Sequence, residues 1–269
     1  MATPRTDGFS ELMKSWRAKS GVSQLELALR CEVSQKHVSF LESARSRPSK
    51  LMVMLICEAL AIPLRDRNAL LVAAGFSPSY RESALSEPEL AAVDRALTMM
   101  LDQQEPYPAM VIDRLFNVVR ANNGAMQLQS LLWDCERPED LPPIAGNLLR
   151  GMFHPDGFRR YIANWDEIAT SLLRRVQSEV YARGGDPELQ ALLDELTQCD
   201  GVPSDWKQHL PGDWHAPVET IDIVKDGRKM RFFSTIVTLG TPQDVTLEEI
   251  RIEAYFPADE ATRRLFMDG

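Results

Sequence analysis

The sequence predicts a multidomain chain: an all-α module of five short helices, followed by an α+β domain built around an antiparallel sheet. Three observations lead there. From Ser10 to Gly75, short segments of helical periodicity each stop at Gly, Pro or a polar cluster. Beyond Tyr107, runs of strand character bracket a helical middle and include a strong hairpin signal. The charge divides near the same place. Residues 1–80 hold eleven Lys and Arg against seven Asp and Glu, net +4, and the remainder nineteen against thirty-two, net −13. That asymmetry fits a basic module that meets phosphate joined to an acidic one that does not.

The 269 residues, 44% of them hydrophobic, suffice for two compact cores. No stretch approaches the ~20 apolar residues of a membrane span, and the opening MATPRTDGFSELMKSW has neither the apolar run nor the cleavage site of a signal peptide. A cytoplasmic protein with no membrane partner is expected. Cys31, Cys57, Cys135 and Cys199 are scattered without CxxC pairing and read as small buried hydrophobes rather than as disulfides or a zinc site.

Taken in order, the first module (residues 1–80) contains SELMKSWRAKSG, SQLELALRCEV, SQKHVSFLES, PSKLMVMLICEALAIP and LRDRNALLVAAG. Ser23 followed by Glu26 forms a capping box for the second helix, and Ser34 is an N-cap for the third. A Ser/Pro/Glu-marked joint and the helix ELAAVDRALTMMLDQQ make residues 81–106 a connector. The domain at 107–269 opens with YPAMVIDRLFNVVRANN, two strand runs around a polar turn, with Asn122 and Asn123 placed to start a helix. GNLLRGMF, GFRRYIANWDEIATSLLRRVQSEVYARGG and DPELQALLDELTQ follow as helices. VETIDIV and RFFSTIVTLG flank a hairpin turn at Asp226-Gly227. In the last run Ile250, Ile252, Ala254 and Phe256 alternate with Glu249, Arg251, Glu253 and Tyr255, which predicts one buried and one wet face, and a sheet covered on one side.

On the third helix Val38 and Leu41 share one side, and Lys36, Ser39, Phe40 and Ser43 the other, so a polar, basic face stands beside a buried one. The short turn Cys31-Glu32-Val33 joins it to the helix starting at Gln24, an arrangement that lets the third helix enter a major groove of double-stranded DNA while the second lies across the backbone. Amide and Lys side chains can pair with adenine and guanine edges. Gln35 and Lys36 are therefore the candidate base readers, with Ser39 and Phe40 as secondary contacts. Arg45, Arg47 and Lys50 around Pro48 suit phosphate contacts, and Gln24 and Ser34, at the two helix starts, complete the DNA-binding set. One recognition helix reads only a few base pairs, so a homodimer on an imperfect palindromic operator is expected.

The segment VSQLELALRCEVSQKHVSFLESARSRPS resembles the XRE family of phage-repressor-type helix-turn-helix domains, matching its pattern at Ser23, Gln24, Val33, Ser34, Leu41, Glu42, Arg47, Pro48 and Ser49. It departs at Glu32 and Ala44, where the family usually has Gly, and a positive φ there is costly for any residue with a Cβ. Further along, PLRDRNALLVAAGFSPSY, EPYPAMVIDRLFNVVRANNGAMQL, GNLLRGMFHPDGFRRYIANW and AYFPADEATRRL look like the MmyB-like branch of these regulators, so the resemblance covers nearly the whole chain. It implies a sequence-specific, DNA-binding transcriptional regulator whose C-terminal domain has a PAS-like fold and binds a small apolar ligand, with a bound fatty acid as the implied class.

Other constellations point less far. His154 and Asp156 in MFHPDG read as a loop, His209 and His215 lack ligand spacing, and turn formation explains Asp113 and Asn122. No phosphate-cradling loop, nucleophile elbow or spaced carboxylate pair stands out, so neither catalysis nor a metal is expected. Ile112, Phe153, Tyr161, Trp165, Phe233 and Ile252 are candidates to line a pocket between helices and sheet, from an apolar set that also holds Phe158, Phe232 and Phe256 and is mostly core. Arg159, or its neighbour Arg160, is the candidate partner for a ligand carboxylate. Two other readings stay open: a regulator controlled by a protein docking on the acidic domain, and an enzyme domain fused to a DNA-binding module.

Overall fold

A computed structural model describes residues 6–135, 137, 140–208 and 218–267. His209 and His215 lie outside them. The chain forms two compact units, one comprising Met1–Ser83, Val180–Asp186 and Thr241–Glu248, the other Ala84–Glu179, Pro187–Gly240 and Glu249–Gly269.

The first unit holds the five expected helices: Thr6–Lys19 (α1), Gln24–Arg30 (α2), Gln35–Glu42 (α3), Lys50–Ala59 (α4) and Leu64–Ala73 (α5). Phe9, Met13 and Trp16, spaced to share one stripe of α1, enter a core with Leu27, Val38, Leu41, Val53, Ile56, Leu70 and Leu71. The hydroxyls of Ser23, Ser34 and Ser49 accept the N–H of Glu26, His37 and Met52, each at 3.1 Å, so three helices start on serine N-caps. The capping box at Ser23 is half made, because the Glu26 carboxylate accepts from Arg30 one turn on, at 2.5 Å. Helix α5 follows Pro63 and has no cap from its own segment. Glu248 supplies one, accepting from the Leu64 N–H at 2.7 Å.

All five helices end alike. The N–H groups of Gly21 and Val22, Glu32 and Val33, Ala44 and Arg45, Ala61 and Ile62, and Gly75 and Phe76 return to carbonyls three and five residues back. The first residue of each pair has a positive φ, from 50° at Ala61 to 87° at Gly75, which is the Schellman geometry. Glu32 and Ala44 thus adopt the left-handed conformation that glycine would take more easily, at a cost of roughly 1–2 kcal/mol each.

The second unit is built from Ala91–Gln103 (α6), Ala109–Ile112 (β1), Val118–Ala121 (β2), Asn123–Trp133 (α7), Leu148–Phe153 (α8), Trp165–Ala182 (α9), Pro187–Thr197 (α10), Ile221–Lys225 (β3), Arg228–Val237 (β4), Val245–Glu249 (α11), Arg251–Pro257 (β5) and Glu260–Met267 (α12). The C-terminal end of α9 and most of α11 fall in the first unit. The strands form one PAS-like sheet in the order β2-β1-β5-β4-β3, antiparallel throughout. Asp226 and Gly227 both have positive φ, as the tight turn between β3 and β4 requires. Asn122 caps α7 and fastens three elements. Its Oδ1 accepts from Ala125 and Ala109, both at 2.9 Å, and its Nδ2 donates to the carbonyls of Leu101 and Tyr107.

Two expectations for the last strand are corrected. Residues 245–249 form α11 rather than the start of a strand, with the Asp244 carboxylate accepting the Thr246 N–H at 2.9 Å. Nor does β5 have a wet face: Arg251, Glu253 and Tyr255 are 9%, 3% and 6% exposed, as buried as Ile252 and Ala254. The cause is position, since β5 is the central strand and is covered on both sides. Ile252 and Ala254 lie opposite Val111 and Ala109 of β1, whose neighbour Arg120 is held by Asp94 of α6 at 2.5 Å. On the other face Glu253 takes Arg175 of α9 at 3.0 Å, and Arg251 reaches Glu179 of α9 at 2.5 Å. A strand with ion-pair partners overhead can bury its polar half.

Candidate functional site

In the first unit α3 is fixed from below by Val38 and Leu41, both fully buried, and the Ser10 hydroxyl donates to the Leu41 carbonyl at 2.6 Å. Its outer side and the following loop carry the predicted residues. Ser34, Gln35, Lys36, Arg45, Arg47 and Lys50 are exposed, whereas Ser39 and Phe40 are half-buried. The Lys36 ammonium lies 5.5 Å from the Phe40 ring, along the helix surface. Ser34 is engaged as the N-cap. Gln24 is half-buried and turns its amide inward, donating to Glu42 at 2.7 Å. Glu42 also receives Arg17 at 2.5 Å. Burial alone would push the Glu42 carboxyl up, but the hydrogen bonds from Arg17 and Gln24 outweigh it and hold the group below the usual carboxylate range.

The helix ends single out Arg45. The residue after each left-handed cap is normally apolar and packs back on its helix. Val22 and Ile62 are buried, and Val33 and Phe76 pack on the core. At the end of α3 the same position carries an exposed arginine.

In the second unit two recesses lie on the sheet face that carries Tyr255, between the strands and the helical layer. The first, of about 580 Å³, is lined by Met110 and Tyr255 from the central strands, Ile221 and Ile223 from β3, Ala125, Leu128, Gln129 and Leu132 from α7, Leu148, Gly151 and Met152 from α8, and Phe158. Its wall is almost wholly apolar, and Gln129 and Asn147 are its side-chain amides. The second, of about 620 Å³, shares Met152, Ile221 and Tyr255 with it and adds Ser171, Arg175, Glu219, Ser234 and Glu253.

None of the seven ligand-site candidates lines either recess. Ile112 and Phe153 are fully buried and Trp165 packs edge-on against Phe153 at 5.0 Å, so all three are core. Ile252 and Phe233 are on the opposite sheet face, where Phe233 stacks on Phe256 at 5.4 Å. The Arg159 guanidinium lies over Trp165, and Tyr161 takes the Lys225 ammonium on its ring at 4.8 Å. Lys225 itself is bound to the Leu131 and Leu132 carbonyls and to Asp134, closing the end of α7. Of the wider apolar set, Phe158 does face the first recess. The missed residues had a signal: Ala125, Leu128, Gln129 and Leu132 fall at helical spacing on one stripe of α7.

The His154 imidazole accepts the Asp156 N–H at 3.1 Å and the Asp113 carboxylate accepts from Leu115 and Asn117, turn roles in both cases. Among the described residues no three His, Cys, Asp or Glu side chains are grouped to hold a metal, and no helix is long and apolar enough to cross a membrane.

A helix-turn-helix model matches residues 13–66, and the model of the MmyB-like transcription regulator ligand binding domain matches residues 93–267. No curated protein matches the chain. Among solved structures, one described as "Structure of an RNA-binding Light-Oxygen-Voltage Receptor" aligns with 97% of this chain at 11% identity and a TM-score of 0.30, too low to carry a structural argument. The alignment spans 61% of that protein. Helix-turn-helix and ligand-binding domain together define a DNA-binding transcription regulator with a ligand-sensing domain. The chain belongs to the MmyB-like transcription regulator family.

Proposed function

We propose that the chain works as a homodimer in which α3 of each copy reads one half of a palindromic operator, with Gln35 and Lys36 on base edges and Ser39 and Phe40 beside them. Arg45, Arg47 and Lys50 meet phosphates, together with the helix starts at Gln24 and Ser34. The observation that carries this reading is the exposed Arg45 at a helix-capping position that is apolar in the other four helices, next to exposed Arg47 and Lys50. A cation placed where packing favours an apolar group points to an external anion. Gel-shift titration tests it. Gln35→Ala and Lys36→Ala should each cost about 1–3 kcal/mol of specific affinity and relax base preference, while Arg47→Ala should weaken all sequences alike and lower the salt slope by about 1. Unchanged specific binding by the double variant at Gln35 and Lys36 would overturn the assignment.

The second unit binds a small apolar molecule of the fatty-acid class in the recess bounded by Met110, Leu128, Met152 and Ile223, and occupancy changes operator affinity. The apolar wall supports the first part, and family membership the second. Displacement of a fluorescent apolar probe by fatty acids tests both, when repeated with operator present. Coupling must be reciprocal.

A further inference from the structure

Resting on the reading of the first recess as an apolar ligand site, we propose that Arg175 anchors the polar end of that ligand, a carboxylate, in the adjoining recess. Two buried side-chain polar atoms among the described residues lack a hydrogen-bond partner, and one is Nη2 of Arg175. Nη1 of the same guanidinium donates to Glu253 at 3.0 Å, and its Cζ lies over the Phe116 ring, 5.1 Å from the centroid. The guanidinium is thus held by a carboxylate at Nη1 and by an aromatic ring beside it, while Nη2 is left without a partner. A buried donor left unpaired is disfavoured, and such a group calls for an explanation. An acceptor brought by a ligand supplies one.

The surroundings fit an amphiphile. Arg175 belongs to the wall of the recess containing Ser171, Ser234 and Tyr255, and that recess shares Met152, Ile221 and Tyr255 with the apolar one. A chain lying along the apolar recess therefore delivers its end to the polar one. Glu253 is already committed on both oxygens, to Arg175 and to the Tyr255 hydroxyl at 3.1 Å. The other carboxylate of the recess, Glu219, is exposed and accepts from the Ser171 hydroxyl at 2.6 Å. Arginine suits the task because its fork binds a carboxylate by charge-assisted hydrogen bonds.

The test uses the full chain and three probes of equal chain length: dodecanoic acid, dodecanol and methyl dodecanoate, each measured by displacement of a fluorescent apolar probe. The wild type should prefer the acid by on the order of tenfold or more. Arg175→Met should lose about 10- to 100-fold for the acid and little for the ester, with Arg175→Lys recovering part of the preference. Since Arg175→Met strands Glu253, the same measurements on Arg175→Met combined with Glu253→Gln guard against misfolding. An acid preference that survives in both variants, equal losses for acid and ester, or a wild type that binds all three alike overturns the assignment of Arg175 while leaving the apolar site standing. A wild type that binds none of the three removes the apolar site and this inference with it.

Discussion

Helix α3 and strand β5 carry the same kind of pattern, an apolar half and a polar half, and place it oppositely. On α3 the polar half, Gln35 and Lys36, faces solvent and the apolar half, Val38 and Leu41, faces the core. On β5 both halves are buried, and the polar residues Arg251, Glu253 and Tyr255 look toward the helical layer and its recesses. Periodicity states that two faces differ. Which face meets water depends on what else the fold stacks there, and for β5 the stacked element is α9, carrying Arg175 and Glu179.

The largest effect expected from this contrast is at Glu253. Replacing it with Ala leaves the Arg175 guanidinium buried without its counter-charge and should cost about 3–5 kcal/mol in denaturant unfolding of the second unit. The pair Gln35→Ala and Lys36→Ala should cost under about 0.5 kcal/mol in the first. Comparable losses at the two places would break the contrast.

Acid sharpens it next. The Glu42 pKa lies below its unfolded value, so its stabilising contribution is present above an unfolded carboxylate pKa of about 4.3 and is lost as the pH falls through the lower folded value. Stability of the first unit should therefore decline below about pH 4, and Glu42→Gln should flatten that decline while costing roughly 1–3 kcal/mol at neutral pH. An unaltered acid profile in the variant would show that another group governs it.

The smallest effects are at the helix ends. Glu32→Gly, Ala44→Gly and Ala61→Gly should each gain up to about 1 kcal/mol by relieving a left-handed backbone, whereas Gly21→Ala at the equivalent end of α1 should lose a similar amount. Thermal unfolding of the four variants decides it, and a loss at Ala44 would mean that its methyl group is needed for packing.

The first unit was legible because its signals are local. Ser23 and Ser34 cap the helices that follow them, and the absence of glycine at Glu32 and Ala44 foretold two strained positions without disturbing the helix boundaries. In the second unit β1 to β4 and the Asp226-Gly227 turn were legible for the same reason, whereas the start of β5 and the burial of its polar face were not. The recess was not. Aromatic residues such as Phe153 and Trp165 pack on each other, while the wall of the first recess is assembled from Met110, Leu132, Met152 and Ile223 on separate elements. The partners that let β5 bury its charges lie 72 and 78 residues away in sequence, beyond the reach of any periodicity.

The most direct test of DNA reading coupled to ligand sensing is selection of duplexes from a random pool by the full chain, followed by titration of the enriched duplex with and without saturating dodecanoic acid. The expected result is an imperfect palindrome with half-sites about one helical turn apart, bound with an affinity that the acid shifts by roughly 5- to 150-fold. Failure to enrich any sequence, or an enriched site whose affinity the bound acid leaves unchanged, would contradict it.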